Sequence, residues 1–184
     1  AAEQAVKEGL RVNMTLCFSQ EQAAAVHAAT RGAKRGEVFV SPFVGRLDDI
    51  GENGMDLIKN IIQMYREANS HVEVLSASLR NVGHLVQSIK LGADIATAPF
   101  KILQECQPSV FPPQSMGREE GRGLNQKTID LSSSSSPSPG EERLKPIVYQ
   151  QLDLNRSWRE YNIQHPLTDK GIQKFSADWN SLVE

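Results

Sequence analysis

The sequence is poor in cysteine, with only Cys17 and Cys106 among 184 residues. Two thiols make no disulfide framework, so the small stapled secreted classes are excluded and both are expected as reduced thiols of a cytoplasmic protein. Charge of one sign is also lacking. Lys and Arg number 20, Asp and Glu 22, for a net charge of −2. Such a balance supplies no field for a polyanion, so nucleic acid and anionic membrane surfaces are poor partners. No apolar run approaches the roughly 20 residues of a membrane span. Ala1-Ala2-Glu3-Gln4 is a helix-former rather than a basic tract ahead of an apolar one, so no signal peptide is read there. There is no glycine-rich phosphate loop and no nucleophile elbow. His27, His71, His84 and His165 show no metal-ligand spacing and read as surface or packing residues. Neither a metal nor a cofactor is expected.

What is present is a repeated alternation of strand and helix. The organising stretch is 38–49, which opens with 38–41, a short apolar or small run suited to a buried parallel strand. Pro42 is expected to end its ladder, having no N–H to donate. Upstream, 1–8 reads as helix closed by Gly9. The strand predicted over 11–18 alternates: Val12, Met14 and Leu16 point one way, Asn13, Thr15 and Cys17 the other. Ser19 and Gln22 form a capping box for a helix to about Thr30. Residues 48–54 read as loop. Leu57, Ile58, Ile61, Ile62 and Tyr65 then recur at helical spacing. A third strand is expected over 72–78, a helix over 82–91 with Asn81 and Gly92 at its ends, a fourth strand over 93–98, and a short helix over 100–106.

This pattern demands parallel strands and right-handed crossovers, an α/β fold. Four strands leave two open edges, which favour self-association or pairing with another half. A complete (β/α)8 barrel takes about 250 residues. Four repeats therefore suggest half of such a barrel, a partial TIM barrel of strands 5–8 plus a C-terminal helix. Residues 107–144 are rich in Ser, Pro and Gly and are expected to be disordered, with a phosphorylated regulatory segment as the sharper alternative. Residues 145–184 end in a helix with Thr168 as N-cap, a Leu167–Ile172 staple, and Ile172, Phe175, Trp179 and Leu182 along one face.

The polar residues cluster where parallel strands end, which is where chemistry sits in such folds. Arg46 and Arg80 lie just past two strands, with Ser41 and Ser78 shortly before them. A guanidinium beside a helix start offers fixed charge and several donors to one anion, so a matched pair points to one phosphate held from two sides. The bland reading has each arginine solvated or paired with Asp48 or Asp49. Asn13 and Thr15, on one strand face, suit a polyol hydroxyl or a water, or else a satisfied buried pair.

Asn13-Met14-Thr15-Leu16, Ser41-Pro42-Phe43-Val44-Gly45-Arg46 and Ala77-Ser78-Leu79-Arg80-Asn81 together resemble the transaldolase family. His165-Pro166-Leu167-Thr168-Asp169-Lys170-Gly171-Ile172 and Phe175-Ser176-Ala177-Asp178-Trp179 are similar to the C-terminal helix of its shorter members. The resemblance covers residues 1 to about 106 and about 145 to 184. It implies a (β/α)8 barrel that transfers a dihydroxyacetone unit between sugar phosphates through a lysine Schiff base, in the pentose phosphate pathway. It implies Asn13 and Thr15 as supporting catalytic positions that orient substrate and water, and Ser41, Arg46, Ser78 and Arg80 as the phosphate-binding set. The family's reactive lysine would fall upstream of Ala1, so the isolated chain is expected to hold substrate without the covalent step. A non-catalytic sugar-phosphate-binding half-barrel and a truncated gene product are the alternatives.

Overall fold

Four parallel strands form one sheet in chain order: β1 (Val12–Cys17), β2 (Val38–Pro42), β3 (Glu73–Ser76) and β4 (Ile95–Ala96). The structure, a computed structural model, describes residues 1–106 and 144–183. Helix α1 (Ala2–Lys7) precedes the sheet, and α2 (Gln20–Ala29) carries the chain from β1 to β2. Next come α3 (Val44–Asp48) and α4 (Gly54–Glu67), then α5 (Val82–Leu91) between β3 and β4, then α6 (Phe100–Glu105). After residue 144 an extended strap leads through a 3₁₀ turn (Trp158–Glu160) to α7 (Pro166–Val183). The expected α/β alternation is therefore present. The Ser/Pro/Gly-rich stretch lies outside the described residues, apart from residue 144.

Local chemistry sets the helix starts. Ser19 Oγ accepts from the Gln22 N–H at 3.1 Å, while Gln22 Oε1 accepts from the Phe18 N–H at 2.7 Å. The reciprocal half of the box thus falls one residue earlier than in the usual motif. Asn53 caps α4 by accepting from Met55 and Asp56, and Asn81 caps α5 by accepting from His84. Gly92 closes α5 in the left-handed conformation, at φ 79°, where a side chain would be strained.

Several boundaries differ from expectation. Pro42 belongs to β2, because its carbonyl still accepts from the Ala77 N–H at 3.1 Å although it donates nothing. The third and fourth strands are shorter than predicted, and β4 has two residues. A short helix, α3, occupies 44–48, where its Val44 and Gly45 N–H groups donate to the Ala77 and Ser78 carbonyls at 3.0 Å. Helix α7 begins at Pro166, so Thr168 lies inside it rather than capping it. The His165 ring takes the cap role, its Nδ1 accepting from the Leu167 N–H. Ile172 is 53% exposed and so makes no staple.

The core lies between the sheet and α2 and α4. Val38, Val40 and Val74 are buried on the helix-facing side, against Ala23, Ala24, Leu57, Ile58 and Ile61. Each such aliphatic side chain contributes about 1.5–3 kcal/mol on burial. Register puts Asn13, Phe39 and Glu73 abreast on the other face, where Asn13 is exposed. Leu16 interrupts the alternation of β1. Its φ of 57° and the register shift after Met14 leave both Leu16 and Cys17 buried, and burial pushes the Cys17 thiol up to about 12.

The strap has almost no secondary structure, and side chains satisfy its backbone. Gln20 donates to the Gln150 carbonyl at 2.7 Å and accepts from its N–H at 2.9 Å. Asn60 donates to the Ile147 carbonyl, Asp56 accepts from the Ile147 N–H, and Arg31 donates to the carbonyls of Leu154 and Arg156. This explains why Gln20 and Asn60, both amides, are buried on helices.

Two histidines pack against each other behind the core. The rings of His27 and His71 lie 5.1 Å apart, with His27 on Ser70 and His71 on Thr30. Burial, then the neighbouring His71 and Arg31, lowers His27 from 6.5 to about 4, and burial also lowers His71. A histidine held neutral by the fold contributes stability that is complete above the unfolded value and is lost as pH falls toward the folded one. Thermal midpoints are therefore expected to fall between pH 6.5 and 4, less steeply in His27→Gln. Parallel pH profiles for the two proteins would contradict this.

Candidate functional site

Because the strands are parallel, β1, β2 and β3 all end at one edge of the sheet, and the predicted residues gather there. Asn13 and Thr15 sit on the uncovered face of β1, both exposed. Ser41, buried on β2, donates its hydroxyl to Asn13 Oδ1 at 2.7 Å. That bond joins two of the predicted residues directly. It occupies the amide oxygen of Asn13 and leaves its NH₂ for another acceptor.

The loop after β3 turns sharply at Ser78, whose φ is 59°. The turn breaks the simple alternation that would align Ser76, Ser78 and Arg80. Ser76 instead faces the helices, where its hydroxyl meets that of Ser88 on α5 at 2.8 Å. The Ser78 carbonyl is taken by the Gly45 N–H, which draws the β3 end against the first turn of α3. Gly45 is the enabling residue, since a Cβ there would overlap the Arg80 side chain and the Ser78 carbonyl oxygen. Arg80 thus crosses directly over the residue that precedes Arg46.

The two arginines differ in their partners. Arg80 donates to Asp49 Oδ2 at 2.7 Å in a pair that is more than half exposed, so part of the bland reading holds for it. An exposed pair of this kind contributes about 0–1 kcal/mol. Arg46 is half-buried and makes no hydrogen bond or ion pair among the described residues. Its guanidinium carbon lies 5.5 Å from the Phe43 ring centre and 5.8 Å from that of Phe175 on α7. A half-buried guanidinium with no counter-charge among the described residues has the donors and fixed charge that an anion can use.

His84 also belongs to this region, although its sequence context reads as that of a surface or packing residue. It lies in the first turn of α5. Its Nδ1 accepts from the Arg80 N–H at 3.3 Å and its Nε2 lies 3.2 Å from Asp48 Oδ2. Asp48 Oδ1 in turn accepts from the Gly54 N–H at 3.0 Å. His84 and Asp48 therefore tie the Arg80 backbone to the start of α4. The signal for this was positional: a histidine four residues after a strand-end arginine, in the turn that follows. Among the described residues no group of three His, Cys, Asp or Glu side chains is placed to hold a metal ion. No helix there is long and apolar enough to cross a membrane.

The family model for transaldolase/fructose-6-phosphate aldolase matches residues 1–184. The chain belongs to the transaldolase/fructose-6-phosphate aldolase family. A probable transaldolase of Herpetosiphon aurantiacus is 34% identical over 184 residues, covering 100% of this chain and 55% of its own length. One of Dehalococcoides mccartyi is 35% identical over 176 residues, 96% of this chain and 53% of its own. One of Caldicellulosiruptor saccharolyticus is 49% identical over 100 residues, 54% of this chain and 43% of its own. The chain thus spans about half the length of the curated relatives it matches. In this family member, the parallel sheet edge carries an Asn–Ser hydrogen bond, an aromatic-flanked arginine and a second arginine laid over a glycine.

Two substitutions separate architecture from binding at this edge. Arg80→Ala is expected to change unfolding free energy by less than about 1 kcal/mol, because its ion pair is solvated. Gly45→Ala is expected to cost about 1–3 kcal/mol or more, because the added methyl meets backbone as well as side chain. Chemical denaturation of both variants checks the ordering, which a thermally silent Gly45→Ala would reverse.

Proposed function

We propose that these residues are the phosphate-gripping half of a transaldolase site, and that residues 1–106 with the segment 145–184 are the C-terminal half of a (β/α)8 barrel. The observation that carries the reading is Arg46, a half-buried guanidinium with no carboxylate partner among the described residues, at the C-terminal edge of a parallel sheet. Arg80 reaches the same first turn of α3, which supports one anion held from two sides. The family match supports a sugar phosphate as the source of that anion. Among the described residues, strands β1 and β4 are each paired on one side only, as two ends of a half-barrel would be. Residues 107–144 are then an insertion between the two parts of the half.

In this reading the whole protein transfers a dihydroxyacetone unit between sugar phosphates by way of a Schiff base. The reacting lysine belongs to the part of the relatives' length that these 184 residues do not span. Arg46 supplies in-plane N–H donors to two phosphate oxygens, and Arg80 exchanges its solvated bond to Asp49 for a charge-assisted bond to the same group. Ser78, half-buried at the turn, adds a hydroxyl. Asn13, held by Ser41 through its oxygen, turns its NH₂ toward a substrate hydroxyl, and Thr15 on the same face orients a water. This set binds and orients substrate. Carbon–carbon bond cleavage needs the amine nucleophile in addition.

The test is ligand-dependent stabilisation. Inorganic phosphate and fructose 6-phosphate are expected to raise the thermal midpoint of the chain, by about 2.7 kcal/mol of stability at a hundredfold excess over Kd. Arg46→Ala and Arg80→Ala are each expected to weaken binding about tenfold. Borohydride with fructose 6-phosphate should label no lysine of this chain and should label one once the rest of the relatives' length is supplied. Absence of any phosphate effect on the unsubstituted chain would overturn the reading.

A further inference from the structure

We infer that α7 is part of the anion site, and that Phe175 is a positioning residue that holds the Arg46 guanidinium in the orientation that receives phosphate. The inference rests on the phosphate reading above and adds a residue to it. Arg46 has no hydrogen-bonded anchor among the described residues, so its orientation must come from packing. Two rings supply that packing, Phe43 at 5.5 Å and Phe175 at 5.8 Å from the guanidinium carbon. Phe43 immediately precedes α3, the helix that bears Arg46, and moves with it. Phe175 comes from a different element, the last helix of the chain.

One face of α7 is built to bring Phe175 there. Thr168 donates to the Leu16 carbonyl at 2.9 Å and accepts from Gln22 Nε2 at 2.9 Å. One turn on, Gly171 is the only buried residue of the helix. A Cβ at Gly171 would come 2.6 Å from Leu16 Cδ2 and 3.2 Å from Arg46 Nη1. Phe175 follows one turn further. Thr168, Gly171 and Phe175 are spaced i, i+3, i+7 and so share one face. Phe175 is 42% exposed, less than Ile172, Trp179 and Leu182, and it adjoins the face by which Thr168 and Gly171 meet the sheet edge. Leu16 adopts its left-handed backbone at the point where its carbonyl receives Thr168.

Aromatic contact suits the task for a geometric reason. A guanidinium is planar, and its donors lie in the plane. Rings attract the cation through their π-electron faces. They leave the N–H edge unoccupied, where a carboxylate partner would have consumed it. The cation is held and its donors remain available to a tetrahedral anion.

Binding of inorganic phosphate and of fructose 6-phosphate, measured by calorimetry on the full chain, tests this with three variants. Phe175→Leu keeps apolar bulk and removes the ring, and is expected to weaken Kd about threefold to tenfold. Phe175→Tyr keeps the ring and should stay within about twofold of the unsubstituted chain. In an Arg46→Ala background, Phe175→Leu should leave the residual affinity unchanged, because the residue acts through Arg46. Unchanged affinity in Phe175→Leu, equal loss in Phe175→Tyr, or the same loss without Arg46 would each overturn the positioning role. If Phe175→Leu folds poorly, the Tyr variant and the cycle made with Phe175→Met in its place decide. The two readings fail differently. No phosphate binding by the unsubstituted chain sinks both, whereas Arg46-dependent binding that ignores residue 175 sinks the role of Phe175 alone.

Discussion

Each strand of the sheet runs in the same direction, so the last residues of β1, β2 and β3 are delivered to one edge. The site depends on this. The Phe43 N–H donates to the Cys17 carbonyl, the Val44 N–H to the Ala77 carbonyl and the Gly45 N–H to the Ser78 carbonyl. These bonds continue the sheet's pairing beyond its strands and lock three loops into one surface. Residues as far apart as Asn13, Arg46 and Arg80 become neighbours through main-chain geometry, before any side chain is considered. Buried backbone groups must find partners, and here the partners they find are the ends of the adjacent strands.

Close approach is the second constraint. Gly45 lets Arg80 lie across α3, Gly54 lets the start of α4 press on the Val44 backbone, and Gly171 lets α7 reach Leu16. A methyl group at any of the three would separate elements that carry site residues. The fold also uses side chains in place of secondary structure. Gln20, Asn60 and Arg31 read the strap's backbone as a neighbouring strand would. The strap in turn leads to α7 and so to Phe175.

Much of this was legible in the sequence. The parallel α/β alternation followed from apolar runs separated by capped helices, and Ser19, Asn81 and Gly92 act as their positions suggested. Asn13 with Thr15 on one strand face, and the paired strand-end arginines, were readable from period and spacing. What escaped has one cause: it depends on partners distant in sequence. Pro42 stays in its strand because Ala77 uses its carbonyl. Helix α3 forms where its N–H groups meet the β3 end. Thr168 is no cap, because it is needed to bind Leu16. The apolar row on α7 pointed to Ile172, Phe175, Trp179 and Leu182; of these Phe175 reaches Arg46, while Ile172, Trp179 and Leu182 stay exposed and the closest contacts with β1 come from Thr168 and Gly171, which periodicity overlooks.

The sequence by itself determined the fold class, the order of elements and the residue types available at the strand ends. Those are local properties, set by hydrophobic period, caps and breakers within a dozen residues. Only the tertiary structure decided which arginine meets a carboxylate and which meets rings. Arg80 finds Asp49 across two loops, while Arg46, among the described residues, finds the rings of Phe43 and Phe175. That difference is a matter of distance between groups brought together by folding, and no window of sequence contains it.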